Sequence, residues 1–459
     1  MSITPEIFLT SSLKNIHIGA SITRILASAI QSVEPENIFH NSIQLHDSYI
    51  TIAENRIDID PNGRIFLVGA GKASTAMGRA ILSIISDRVH TGYIISKSNY
   101  GERNTSLVCG KLTVSYAGHP LPDEASVTAT IGLIKTLNGL TSKDTVMFLL
   151  SGGGSSLLTQ PAPGISIGDL RQATDLLLRS GMNINEINTI RKHLDLIKGG
   201  GLARYLYPAR TIVLVISDVI NDPLDMIASG PCYPDTGTYR DALRILEHYN
   251  LISKMPSSVI NHLSRGVKGL FAETAKSGDE IFLHISHYVL ANVETAMQAA
   301  LSKARDEGFE ALQMTSKLKG EAREVGRTLA HLIRSIQVQN KSIERPICII
   351  LGGETTVRVS GMGLGGRNLE LALGAVDDLA GLRDIVLVTL ATDGGDGPTN
   401  AAGAVVTGHT YINAHRLGLN SAKYLTNNDS YSYFHRLGDL IITGPTLTNV
   451  NDLVLLFIY

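Results

Sequence analysis

The chain has 459 residues, of which 44% are hydrophobic and 18% are charged, and its formal net charge is −2. This length exceeds what one hydrophobic core usually supports, so it predicts two or three domains with a cleft between them. Without a block of like charge, nucleic-acid binding is not expected, and without a long apolar stretch a membrane-spanning segment is not expected either.

Apolar residues recur at helical spacing from Pro5 to about Ser32, which predicts one or two amphipathic helices. Short β-rich runs then alternate with helical segments, and several runs are apolar without alternation, as in strands covered on both faces. The predicted strands include Arg64–Val68, Gly92–Ile95, Thr145–Leu150, Thr211–Ile216, Glu280–Leu283, Ile347–Leu351, Asp384–Leu390, Asp439–Ile442 and Leu453–Leu456. The pattern predicts an α/β fold with a mostly parallel sheet and helices on both sides.

The strand–helix alternation weakens after about residue 240, where we place the domain boundary, giving domains of residues 1–240 and 241–459. Three cysteines, Cys109, Cys232 and Cys348, lie far apart and are predicted to be reduced and mostly buried thiols. The N-terminus lacks the basic start and apolar core of a signal peptide. A cytoplasmic protein is therefore predicted.

The first glycine-rich loop contains Gly69, Gly71 and Lys72, follows a predicted strand and opens a helix. Such a turn points backbone N–H groups at an anion, so phosphate is its natural ligand. A dinucleotide fingerprint fits poorly, because Ser74 stands where Gly or Ala is wanted and Lys97 stands where an acidic residue is wanted. A structural turn is the alternative, but Lys72 adds a cation that a kinase can use.

The second glycine-rich loop also joins a strand to a helix, and three consecutive glycines leave its backbone open to close approach. A flexible structural turn is the alternative. Position at the carboxyl end of a strand favours a ligand-binding role. The candidate cofactor-binding residues here are Ser151, Gly152, Gly153, Gly154 and Ser155.

The third glycine-rich segment begins with Gly352, Gly353 and Glu354 and continues to Arg367. Arginine suits a transferring phosphoryl group because its planar fork binds two oxygens and stays charged. A lone loop arginine is usually only solvated, but the glycines around this one favour function. Glu354, Gly365 and Gly366 join Arg367 as candidates.

Two acidic loops follow predicted strands and carry Asp218, Asp222, Asp393 and Asp396. Carboxylates at strand ends beside phosphate loops are a usual means of holding Mg²⁺, although Asp-Gly pairs are also ordinary turns. These four residues are the candidate metal ligands.

His119 lies in a stiff proline-flanked turn from which it could touch a substrate, and His193 lies in a helix beside Arg191 and Lys192. For either histidine alone, a structural role is the more common outcome.

Taken in order, these segments closely resemble the glycerate 2-kinase family, whose C-terminal portion is named the MOFRL domain. The resemblance runs from Arg64 to Asp452 and extends more weakly into the N-terminal helices. Its most specific segments are Asn185–Asn188, Arg191–Leu194 and Lys198–Gly200, then Ser217–Val219 through Ile227–Pro231, Gly365–Asn368, and Gly444–Thr446 through Thr448–Val450.

The resemblance implies an ATP-dependent kinase that phosphorylates the 2-hydroxyl of D-glycerate with Mg²⁺, with Lys72 and Arg367 at the active site. It implies a Rossmann-like α/β/α domain with a parallel sheet, then a second α/β domain with a mixed sheet and the MOFRL region at about residues 345–455. The active site is expected in the interdomain cleft, where Arg191 or Lys192 anchors the substrate carboxylate.

Two rival functions are kept. One is an NAD(P)H-dependent hydroxypyruvate reductase, a label sometimes attached to members of this family. The other is a non-catalytic phosphosugar-binding regulator, because the second loop is somewhat similar to serine-rich sugar-phosphate loops. The expected partner is a small-molecule substrate, with no nucleic acid and no membrane, and a homodimer is one assembly considered.

Overall fold

The computed structural model describes residues 3–97, 106–339 and 346–459. Contacts divide the chain into two compact units. We name Ile38–Leu290 the central unit, and Met1–Asn37 together with Ala291–Tyr459 the terminal unit.

The strands of the described residues fall into three sheets. They are β1 (Ile43–Leu45), β2 (Tyr49–Ile52), β3 (Asn55–Asp58), β4 (Ile65–Ala70), β5 (Val89–Lys97), β6 (Ser106–Cys109), β7 (Leu112–Ala117), β8 (Thr145–Ser151), β9 (Arg210–Ile216), β10 (Ile285–Ala291), β11 (Glu310–Leu318), β12 (Ile347–Gly353), β13 (Ile385–Ala391), β14 (Gly403–Thr407), β15 (Leu440–Ile441) and β16 (Asp452–Ile458).

Several helices begin at side-chain caps, and Asp123, Asn183, Thr238 and Asn292 form reciprocal capping boxes. The α-helices are α1 (Ser11–Lys14), α2 (Gly19–Gln31), α3 (Pro35–Ser42), α4 (Ser74–Ile85), α5 (Glu124–Thr136), α6 (Gly154–Leu157), α7 (Ile167–Leu178), α8 (Ile184–His193), α9 (Ala203–Leu206), α10 (Tyr239–His248), α11 (Ser257–Val267), α12 (Val293–Asp306), α13 (Ala322–Gln339), α14 (Arg367–Leu379), α15 (Thr410–Arg416), α16 (Ser421–Thr426) and α17 (Ser430–Leu437). Short 3₁₀ turns occupy Pro5–Phe8, Ile227–Ser229 and Glu280–Phe282.

The main sheet of the central unit has the strand order β10-β9-β8-β4-β5-β7-β6. Strands β9, β8, β4, β5 and β7 are parallel, and β6 is antiparallel to β7. Every residue of β4 and β8 is buried, so both faces of the sheet are covered. Phe66 and Phe148 lie in the core on one face, and a second core joins α7, α8, α10 and α11. The predicted Rossmann-like α/β arrangement is confirmed.

The sheet of the terminal unit has the order β11-β12-β16-β13-β14-β15 and is mixed, as predicted. Strand β11 is parallel to β12, whereas β16 is antiparallel to both β12 and β13. Because β16 enters between these strands, its first residue Asp452 lies level with Gly353 and Ala391, where β12 and β13 end.

The two units differ from the predicted division at residue 240, which falls inside the central unit. Helix α10 packs on α8, α11 packs on α7, and β10 extends the central sheet. The N-terminal helix α2 instead packs on α12, where Arg24 forms an ion pair of 2.5 Å with Glu307. Long-range packing, which leaves little local trace in the sequence, therefore sets the division.

Within the described residues, no helix is long and apolar enough to cross a membrane. Cys232 and Cys348 are free and buried, as predicted, and burial raises the pKa of both thiols. The side chain of Cys109 lies outside the part of the chain that the structure describes.

Candidate functional site

In the central unit, the first two glycine-rich loops lie side by side at the carboxyl ends of neighbouring parallel strands. Ala70 of β4 lies level with Leu150 of β8, and both chains then turn into helices. The backbone N–H of Lys72 donates to the Gly152 carbonyl at 2.8 Å. Gly71 has a φ of +144°, and a Cβ there would lie 2.1 Å from the Ser151 hydroxyl. The first two glycine-rich loops therefore contact each other directly, a proximity that the sequence analysis did not predict.

Lys72, His119 and Gly153 come together at this edge. Gly153 has a φ of +83°, and an added Cβ would lie 2.9 Å from the His119 ring and 3.4 Å from Cγ of Lys72. The cation and the imidazole thus flank a bare stretch of backbone. A glycine is required here both for conformation and for space.

A hydrogen-bonded chain connects the second loop to α8. The Ser155 and Ser229 hydroxyls are 3.0 Å apart, and Ser229 donates to the Asn188 side-chain carbonyl at 3.0 Å. Nη2 of Arg191 donates to the Ser155 carbonyl at 3.3 Å. Burial lowers the pKa of Arg191, and Asp195 opposes that shift, but a guanidinium stays charged at neutral pH. The structure therefore brings Arg191 to the glycine loops, as a substrate anchor requires.

Lys192 faces a different set of residues from Arg191. Its ammonium forms a buried ion pair with Asp235 at 3.1 Å and a partly exposed one with Asp225 at 3.6 Å. Nδ1 of His193 donates to the Thr189 carbonyl at 2.7 Å, and Nε2 lies 3.0 Å from Oε2 of Glu273. Successive helical residues point about 100° apart, so these side chains cannot share the environment of Arg191. The ion pairs show that Lys192 is held by carboxylates of this unit, and its predicted substrate contact stays a prediction.

Several candidates in the central unit are interior residues. Gly69 lies within β4, where a Cβ would lie 2.8 Å from the Leu149 carbonyl. Ser151 is fully buried, and its hydroxyl accepts from the Ala73 N–H at 3.0 Å. Gly69 and Ser151 therefore support the loops through packing and a hydrogen bond inside the unit. Asp218 and Asp222 follow β9, the next strand along from β8.

In the terminal unit, Arg367 is the first residue of α14 and is held by two carboxylates. Its Nε lies 2.5 Å from Asp452 Oδ2 and its Nη2 lies 3.1 Å from Asp452 Oδ1, while Nη1 lies 2.7 Å from Glu354. Burial alone would lower the pKa of Arg367, but Asp452, Glu354 and Asp396 reverse the shift and raise it. The guanidinium is fixed in direction and permanently charged.

Asp396 binds the backbone at the N-terminal end of α14. Its two carboxylate oxygens accept from the backbone N–H groups of Asn368 at 3.1 Å and Leu369 at 2.8 Å. A Cβ on Gly366 would lie 2.3 Å from the Asp396 carboxyl carbon, and one on Gly365 would lie 2.4 Å from the Ser430 hydroxyl. The predicted binding glycines therefore permit close packing around the helix start. Burial raises the pKa of Asp396 to about 7, and the negative charge of Asp452 adds to the shift.

The raised pKa makes Asp396 a pH-dependent contributor to stability. Because the folded protein binds this proton more tightly than the unfolded chain, the group stabilises the fold at low pH, and that contribution is lost as pH rises toward 7. We expect the unfolding free energy of the wild type, relative to Asp396→Asn, to fall between about pH 4 and 7 and then level off. Urea denaturation across pH measures this, with Asp393→Asn as the control. A difference that stays constant or grows with pH would contradict it.

The candidate metal residues do not assemble into a site within either unit. Among the described residues, no group of three or more histidine, cysteine, aspartate or glutamate side chains is arranged to hold a metal ion. Both oxygens of Asp396 are already used by backbone donors. Metal binding by Asp218, Asp222 and Asp393 stays a prediction.

The sequence reasoning missed Asp452, Asn188 and Ser229. Asp452 is the first residue of strand β16, but only the antiparallel insertion of that strand brings it to Arg367. Ser229 has a left-handed φ of +62°, a conformation that is uncommon for serine. The residues around Ser229 in the sequence do not predict this conformation.

The chain is therefore an α/β protein of two compact units. Each unit has glycine-rich turns near the ends of its strands and a cationic side chain beside them, Lys72 in the central unit and Arg367 in the terminal unit. A family model described as a domain of unknown function, DUF4147, matches residues 21–264, and the MOFRL family model matches residues 347–452. The second range agrees with the region predicted from the sequence.

Full-length relatives narrow the class further. D-glycerate 2-kinase of Thermotoga maritima is 40% identical over 393 residues, covering 85% of this chain and 90% of the relative. A crystal structure of glycerate kinase from Thermotoga maritima superposes with a TM-score of 0.82 at 36% identity, covering 98% of this chain and 100% of that one. A relative from Agrobacterium vitis, provisionally named a hydroxypyruvate reductase, is 38% identical, covering 91% of this chain and 92% of the relative. The chain belongs to the glycerate 2-kinase family.

Proposed function

We propose that the protein is a glycerate 2-kinase, which transfers the γ-phosphoryl group of ATP to the 2-hydroxyl of D-glycerate and yields 2-phospho-D-glycerate and ADP. The observation that carries the proposal is the 40% identity to a D-glycerate 2-kinase across 85% of the chain. The contacts around the predicted residues support it, because Lys72 and His119 lie beside Gly153, and Arg191 contacts the Ser155 carbonyl.

In the central unit, we assign the ATP phosphates to the bare loop formed by Gly71 and Gly152–Ser155, with Lys72 neutralising phosphate charge. Phosphoryl transfer depends on positioning and electrostatic stabilisation more than on covalent catalysis, so a cation beside the loop is the group required. His119 lies next to Gly153, and we assign it to contact with the substrate.

Arg191 is the proposed anchor for the glycerate carboxylate. Its guanidinium is largely desolvated and donates to the Ser155 carbonyl. A desolvated cation is costly without a counter-charge, so binding of an anionic group is favourable here. A carboxylate held there keeps the adjacent 2-hydroxyl within a few ångströms, and positioning then selects this hydroxyl over the primary 3-hydroxyl.

Arg367 is the second proposed catalytic cation. Asp452 and Glu354 fix its direction, which spares the reaction the cost of ordering a flexible side chain. We propose that ATP enters as its magnesium complex. Mg²⁺ commonly retains several waters and binds through substrate phosphates with only one or two carboxylates.

The position of the new phosphate tests the proposal directly. We expect that ATP, Mg²⁺ and D-glycerate, coupled to enolase and pyruvate kinase without phosphoglycerate mutase, yield pyruvate, because enolase accepts 2-phosphoglycerate and not the 3-isomer. Addition of mutase serves as the control. A signal that requires mutase would show that the 3-hydroxyl is the acceptor.

The reductase reading rests on the name of the Agrobacterium vitis relative. Against it, β5 ends in Lys97, whereas a dinucleotide site places an acidic residue at that strand end to bind the ribose. Nicotinamide absorbance that declines with hydroxypyruvate and NAD(P)H would favour the reductase. Failure of both assays would leave the phosphosugar-binding regulator.

We also propose a cytoplasmic location, which the two free buried thiols support. Self-association as a homodimer stays a prediction, and analytical ultracentrifugation measures it.

A further inference from the structure

The central unit contains a cavity of about 470 Å³ at the C-terminal end of α8. We name it the His262 pocket, and its walls include Lys192, His193, Tyr205, Tyr239, His262 and Phe271. The volume lies in the range of sites that bind small molecules. A separate, smaller cavity contains Ser155 and Arg191, and the two cavities share Asp195 and Lys198. The buried Asp195–Lys198 pair therefore separates the pocket from the glycine loops.

His262 is the unexplained group in this pocket. It is only 4% exposed, yet neither ring nitrogen makes a hydrogen bond of normal geometry with any described residue. Burial lowers the pKa of His262, and the carbonyls of His193 and Pro163 oppose the shift only in part, so the ring is neutral at neutral pH. A neutral imidazole offers one donor and one acceptor, and buried groups of this kind almost always have a partner.

The charged side chains that line the pocket are already compensated. Lys192 pairs with Asp235 at 3.1 Å, and Lys198 pairs with Asp195 at 2.6 Å. Nε2 of His193 lies 3.0 Å from Glu273. At the rim, the Arg204 guanidinium donates to the Glu273 backbone carbonyl at 3.2 Å. The lining therefore favours an uncharged ligand that forms a hydrogen bond over a charged ligand.

Aromatic rings give the pocket flat walls. Phe271 stacks on His262 with ring centroids 4.7 Å apart and an interplanar angle of 22°. Tyr239 meets His262 edge-on at 5.8 Å and His193 edge-on at 4.7 Å. Ala162, Pro163 and Leu196 complete an apolar lining. Such walls favour a planar ring that stacks or meets these rings by an edge.

We propose that the His262 pocket is a second small-molecule site, distinct from the glycine loops, that binds an uncharged aromatic or heteroaromatic molecule carrying one hydrogen-bonding group. The ring of the ligand lies against Tyr239 and Phe271, and its polar group satisfies His262. The site does not depend on the kinase assignment, because binding is measured without turnover.

Indole and its hydrocarbon counterpart indene are suitable probes, because they share a shape and differ in one N–H donor. We expect wild-type protein to bind indole about tenfold more tightly than indene, as one added hydrogen bond allows. Ala272 is an exposed residue of the lining, so Ala272→Trp should fill the pocket and abolish binding with little effect on folding. Ala422→Trp, at an exposed position in α16, is the matched control. Saturation-transfer NMR and calorimetry report binding, and thermal unfolding reports the fold.

A second variant, His262→Phe, keeps a ring of similar size and removes the hydrogen bond. It should bind indole and indene equally, and ATP with Mg²⁺ should leave indole binding to the wild type unchanged. No binding of either probe to the wild type would overturn the proposal. So would binding that survives Ala272→Trp, a preference for indole that survives His262→Phe, or displacement of indole by ATP, which would make the pocket part of the nucleotide site.

Discussion

Replacing Lys72 with alanine is expected to lower kcat for glycerate phosphorylation by about a hundred-fold or more, with little change in stability. The loss follows from removing one preorganised cation from the place where phosphate charge is to be stabilised. The backbone N–H of residue 72 still donates to the Gly152 carbonyl in the variant, so the loop geometry is retained. The side chain is also partly exposed, which leaves no large cavity on truncation.

The control for Lys72→Ala is Lys97→Ala, which removes an exposed lysine at the end of the neighbouring strand β5. That variant should retain near-wild-type kcat. Initial rates at saturating ATP and glycerate give kcat, and thermal unfolding gives stability. Near-normal turnover of Lys72→Ala would remove Lys72 from the mechanism.

The sequence predicted the α/β class and the glycine-rich edges because their signals are local. Apolar runs such as Thr145–Leu150 predict a strand covered on both faces, and the observed β8 is buried along its whole length. Glycines that follow such a run predict a turn that only glycine can form, and Gly71 and Gly153 have the positive φ that this requires.

The remaining features depend on contacts between distant parts of the chain. Helix α2 reads as amphipathic, but nothing near it in sequence says that its partner is α12, joined through Arg24 and Glu307. Arg191 and Lys192 are adjacent and both basic, so sequence alone could not separate them. The helix turns one toward Ser155 and the other toward Asp235.

The carboxylates of the terminal unit illustrate a second limit. Sequence reasoning assigned Asp396 to a metal because it follows a strand, whereas the structure uses both of its oxygens at the start of α14. The partner that matters most to Arg367, Asp452, lies 85 positions away in the chain. An acidic residue at the start of an apolar run does not predict a partner for Arg367 until the antiparallel order of the strands is known.

Arg367→Ala is expected to lower kcat by about a hundred-fold or more, because the variant loses the second directed cation of the proposed reaction. Arg367→Lys should recover little, since an ammonium cannot form the two-point contact that Asp452 makes with the guanidinium fork. Arg358→Ala removes an exposed arginine in the segment between β12 and α14, so it is the matched control and should leave kcat unchanged.

The role of Asp452 is then separable by a double-mutant cycle. If Asp452 acts by orienting Arg367, Asp452→Asn should lower kcat strongly in the wild type and have almost no further effect in Arg367→Ala. Because Asp452 is buried, breaking this pair is also expected to cost about 3–5 kcal/mol of stability. Glu354→Gln provides the safer partner variant, since the Glu354 side chain is 46% exposed and its loss should spare the fold while still loosening Arg367. Independent, additive losses of kcat in the cycle, with both variants shown to be folded by circular dichroism, would mean that Asp452 does not act through Arg367.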